Sequence, residues 1–142
     1  MCKLYMSASR GLLEAQFGVH PPADCVEGEV HPRERGMLIR SGDFGLVCAA
    51  ANWGDVGEQE RSGPRRPEAP SSSLPGSSYL NTTINASVVG HHPATRAAWR
   101  WGQRCLVPVA WLWPAEASGC HSSRHRLLME GGEALALAGV WL

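Results

Sequence analysis

Four residues of the C-terminal third carry zinc chemistry: Cys105, Cys120, His121 and His125. His121 and His125 are four apart, so a helix would set both imidazoles on one side, and two thiolates would complete a tetrahedron. The Cys-x2-Cys or Cys-x4-Cys knuckle that usually organises such a site is absent from the chain. A second group, Arg61-Ser62-Gly63-Pro64-Arg65-Arg66-Pro67, fits the R-x-x-P-x-x-P pattern of an SH3-domain ligand. Pro64 and Pro67 would line one edge of a polyproline II helix and Arg61 would reach an acidic pocket, so an SH3-domain protein is the expected partner of that segment. A third group is aromatic. Trp99 and Trp101, then Trp111 and Trp113, form two W-x-W units, and period-two spacing on a strand puts both rings of a unit on one face. These four tryptophans are candidates for partner or membrane contact, with Arg96, Arg100 and Arg104 positioned to meet phosphates.

Catalytic patterns are missing. Asp43-Phe44-Gly45 matches the metal-positioning tripeptide of protein kinases, but no H-R-D motif precedes it and the single lysine, Lys3, has no V-A-I-K setting. There is no G-x-S-x-G, H-E-x-x-H, Walker or G-x-G-x-x-G sequence. The expectation is a non-enzyme with no cofactor.

The elements that would position these groups are hard to find in 142 residues. Leu, Ile, Val and Phe number 28, just under a fifth of the chain, where a packed core becomes doubtful. Twelve Arg stand against one Lys and 14 Leu against two Ile. Arg and Lys solvate a surface about equally well, and Ile and Leu fill cores about equally well, so the bias points to nucleotide composition more than to folding. Formal net charge is zero, with no basic density of the kind nucleic acid or an anionic membrane requires. Residues 1–60 carry a net −4, and 61–78 hold four Pro, two Gly and six Ser, the composition of an extended linker.

The chain therefore divides into a weakly ordered acidic segment, 1–60, a linker, 61–78, and a Trp-rich segment, 79–142, with an apolar tail. Within the first, 37–48 reads as a hairpin turning at Ser41-Gly42, and Leu12–Phe17 as a short helix between Gly11 and Gly18. Val107, Val109, Trp111 and Trp113 alternate as a strand that Pro108 would confine to an edge. Ser123–Met129 and Glu133–Leu142 read as short helical turns. The expected fold class is mostly irregular and disordered, with short helices, one or two β-hairpins and no globular fold.

The implied functions are an orphan small protein from a weakly selected reading frame without dedicated activity, a disordered interaction protein, or a small zinc-binding module. No signal peptide or spanning segment is evident, which places the chain in the cytoplasm with access to the nucleus; the sequons at Asn81 and Asn85 would then go unused. The apolar stretch Ala134–Leu142 resembles a signal to protein quality-control machinery, so its deletion should lengthen cellular lifetime.

Overall fold

The computed structural model describes residues 2–25, 27–54, 93–114 and 125–142. They form a seven-stranded antiparallel sheet, which overturns the expectation of a mostly irregular, disordered, low-complexity chain. The reason is visible in the core. Of the fourteen buried hydrophobic residues among those described, seven are Leu, Ile or Val; the others are Tyr5, Ala8, Cys25, Met37, Ala98, Cys105 and Ala134. A census of large aliphatic residues therefore misses half of the packing material, and the Pro/Ser/Gly-rich run 61–78 dilutes the rest.

The elements run β1 (Cys2–Ser7), α1 (Arg10–Phe17), β2 (Glu29–Val30), β3 (Arg35–Gly42), β4 (Gly45–Asn52), α2 (Pro93–Arg100), β5 (Arg104–Pro114), β6 (Leu127–Leu128) and β7 (Leu135–Val140). β5 is the hub. Leu106 pairs with Ile39 of β3 and with Ala138 of β7, whereas Leu112 pairs with Tyr5 of β1 and with Leu127 of β6. One edge of β5 is thus taken by β3 and then β1, the other by β7 and then β6. Pro108 stands where the first edge changes partner. Its carbonyl accepts from the Ala8 amide at 3.2 Å. A strand residue aims its N and O the same way, so the missing donor faces the gap between β3 and β1 and no ladder bond is lost. Pro108 is therefore compatible with a central strand.

The hairpin spans β3 and β4, with its turn at Asp43-Phe44 instead of Ser41-Gly42. The closing pair is Gly42 with Gly45, and Gly45 takes φ 128, a value open to glycine. The Asp-Phe-Gly tripeptide is that turn and the start of β4. Ser123–Met129 and Glu133–Leu142 contribute β6 and β7 in place of helical turns. Leu and Ala favour helices in isolation, but pairing along β5 outweighs that preference of a few tenths of a kcal/mol per residue.

α1 exists because both ends are closed. The Ser9 side chain accepts from the Leu12 amide, and Gly18, at φ 65, donates to Glu14 and Leu13 carbonyls. Its Leu12, Leu13 and Phe17 pack with Met37, Ile39, Cys48 and Leu106 on one side of the sheet. On the other side Tyr5, Val30, Val109 and Leu112 pack with Trp53, Val107, Leu135 and Leu137. Gln16 ties α1 to the distant C-terminal strand: its Nε2 donates to the Ala134 carbonyl at 3.0 Å and its Oε1 accepts from the Ala134 amide at 2.8 Å. Arg10 fastens the next loop, donating to the carbonyls of Pro21, Pro22, Ala23 and Cys25. No described helix is long and apolar enough to cross a membrane.

Candidate functional site

The segment 93–114 contains three arginines, four tryptophans and no carboxylate. The structure turns its first half into α2, so Trp99 and Trp101 do not sit on a strand as their spacing suggested: Trp99 is the penultimate residue of the helix and Trp101 begins the turn into β5. Thr95 and Ala98 are the buried side of α2, leaving Arg96, Trp99 and Arg100 exposed. Trp101 is 78% exposed, more than any other described tryptophan. Arg104, the first residue of β5, lays its guanidinium 4.5 Å from the centroid of the Trp99 ring.

At the far end of β5, Trp111 and Trp113 share one side of the strand, as the alternation required. Their rings meet edge-on, 6.3 Å apart at 73°. Arg126, just ahead of β6, places its guanidinium 4.3 Å from the Trp111 centroid and 6.0 Å from that of Trp113. A third pair, Arg40 over Trp141 at 4.8 Å, joins β3 to the residue after β7. Each such contact contributes about 0.5–1 kcal/mol at an exposed site. Its larger effect is geometric: a stacked guanidinium is held flat against a ring while its N–H edge remains available to an oxygen acceptor. Among the described residues no carboxylate pairs with Arg104 or Arg126; the ion pair is Asp24 with Arg35, and the Glu14 carboxylate meets the ring of His20.

Sequence reasoning named the four tryptophans and missed Arg126, Arg40 and Trp141. Arg126 is fifteen residues from Trp111, and only the pairing of β6 with β5 makes them neighbours. No local pattern carries that information.

The zinc candidates are not assembled by the described residues. Cys105 pairs with Gly139 at the start of β5, while His125 precedes β6, whose Leu127 pairs with Leu112 seven positions further along. That separation is on the order of 20 Å, far beyond a shared coordination sphere. Cys120 and His121 lie outside the described residues, as do Arg61, Pro64 and Pro67. Among the described residues no group of three or more His, Cys, Asp or Glu could hold a metal ion. The thiols are also poorly suited to nucleophilic or ligand roles at neutral pH. Burial pushes Cys48 and Cys105 up to about 11, and raises Cys25 as well.

No family model matches the chain, and no curated protein does. The fold is similar to the X-ray crystal structure of a Bordetella bronchiseptica protein, a structural-genomics target, at TM-score 0.68 and 20% identity. That match covers 99% of this chain and 63% of the Bordetella protein, so the chain spans less than two thirds of its neighbour's length. At this identity the likeness establishes the fold, an antiparallel sheet, and carries no function with it.

Proposed function

We propose that this chain is a binding domain without catalytic chemistry of its own, and that it docks an acidic segment of a partner protein on the tryptophan–arginine surface of α2, β5 and the approach to β6. The observation that carries the reading is the carboxylate-free run 93–114, whose Arg104 stacks on exposed Trp99. Arg126 on Trp111 extends the same chemistry along β5. Tryptophan and arginine are the residue types that dominate protein interfaces, because one supplies rigid apolar area and the other a planar donor fork. A protein partner fits better than a polyanion, since formal net charge is zero and the chain carries no dense basic field. The reading of an unselected chain without dedicated activity rests on a biased residue usage as well as on the scarcity of large aliphatic residues, and the sheet answers only the second of these.

Intrinsic tryptophan fluorescence tests the proposal, with a synthetic peptide of alternating Glu and Leu as probe and its Gln-for-Glu counterpart as control. The acidic peptide should bind with about micromolar affinity, near −8 kcal/mol. Arg104→Ala together with Arg126→Ala should weaken binding at least tenfold while leaving the fold intact by circular dichroism. Equal affinity for the Gln peptide, or an unchanged affinity in the double variant, refutes the reading.

A further inference from the structure

β4 closes the described sheet on one side, pairing with β3 and with no other described strand. Natural edge strands are usually blunted by charge, proline or brevity. β4 has none of these: Gly45-Leu46-Val47-Cys48-Ala49-Ala50-Ala51-Asn52 is eight residues without a charge or a proline. Leu46 is 55% exposed, and Phe44 at the hairpin tip is fully exposed.

The backbone fixes which groups point outward. Trp53 directs its amide and its carbonyl toward β3, donating to Glu34 at 2.9 Å and accepting from Arg33 at 2.8 Å. The amide and carbonyl groups of odd-numbered residues of β4 therefore face β3, and Leu46, Cys48, Ala50 and Asn52 present theirs to the edge that no described strand occupies.

We infer that this edge pairs with the same edge of a second copy of the chain, antiparallel, about a two-fold axis at Cys48. A two-fold relation between antiparallel edge strands runs perpendicular to the sheet and preserves its faces, so a residue must meet its own copy at the centre. Centring on Cys48 matches outward-pointing residues to each other: Leu46 with Ala50 of the second copy, Cys48 with Cys48, Asn52 with Phe44. It also sets Val47 against Ala49. The two large side chains of the first half of the strand, Leu46 and Val47, then meet two alanines of the second half, Ala50 and Ala49. Moving the centre to Val47 sets Leu46 against Cys48 and Val47 against itself. The strand is complementary to its own inverse, and with no charge along it no repulsion opposes the pairing. The result is one sheet continuous across two molecules.

The test is the oligomeric state, measured by sedimentation over a range from micromolar to hundreds of micromolar. The wild type should double in mass with rising concentration. Two double variants, V47K with A49K and V47E with A49E, should each remain monomeric through like charges brought opposite one another. Mixed in equal amounts, they should restore the dimer, since each Lys would face a Glu; that recovery also shows both variants folded. A wild type that stays monomeric throughout overturns the inference. So does a dimer that persists in either variant alone, or a mixture that fails to associate. The peptide-binding experiment reads a different surface, so either proposal can fail without the other.

Discussion

Burial converts Cys48 and Cys105 from ordinary thiols into groups that resist ionisation. Cys48 sits beside the α1 core and Cys105 packs under Gly139, where an added Cβ would come within 3.1 Å of its sulfur. Both are held up at about 11 by desolvation, against 9.0 for a free thiol. Between those values the unfolded chain has released protons that the folded chain retains. Stability is therefore full below pH 9 and falls as pH rises toward 11. The urea midpoint should decline across that window, and less steeply in a variant carrying C48A and C105A. Identical slopes in the two proteins would show that these thiols titrate normally. The sequence shows five cysteines without a zinc knuckle, which is enough to doubt a metal site. It does not show that Cys105 is buried and Cys48 half-buried, because burial of a small side chain depends on strands many residues away.

At the scale of elements, some local signals were legible and one misled, since the W-x-W spacing of Trp99 and Trp101 suggested a strand where α2 forms. The helix ahead of Gly18, the β3–β4 hairpin and the strand through Val107 and Trp113 can each be read from neighbouring residues, but the irregularity between Val109 and Trp111 cannot, and it turns the two tryptophans to the face opposite Val107 and Val109. The hairpin turn lies two residues further on because Gly45 closes the pair with Gly42, a choice that Ser41-Gly42 conceals. β6 and β7 were illegible: Ala and Leu say helix, and only β5 lying alongside makes them strands. The same limit hid Arg126 from the binding surface. Gln16 shows how such distant elements are locked together. Replacing it with Ala removes both hydrogen bonds to Ala134 and leaves a part-buried amide and carbonyl without that partner. Gln16→Ala should cost about 1–3 kcal/mol in chemical denaturation. An unchanged midpoint would mean that water replaces the side chain without loss.

For the whole molecule, the stretch that resembled a degradation signal is a structural strand. Ala134–Leu142 contains β7, which pairs with six residues of β5 from Arg104 to Val109. Its removal would strip one edge of the central strand and expose Leu106, Val107 and Val109. Deleting 134–142 should therefore shorten cellular half-life, the reverse of the expectation drawn from composition. A pulse-chase measurement in which the truncated chain outlives the intact one would restore the degradation-signal reading. The position of β5 has a further consequence for how the molecule is made. During synthesis, β1 can find β2 and β3 can find β4, and α1 can already settle on β3 and β4, but no described strand joins the two pairs into one ladder until β5 has left the ribosome. The N-terminal half must wait as an incomplete sheet, with the edges of β1 and β3 that β5 will occupy still unpaired, for a strand encoded late. Translation speed and chaperone supply, more than the strength of any single contact, then set how much of the chain reaches its folded form.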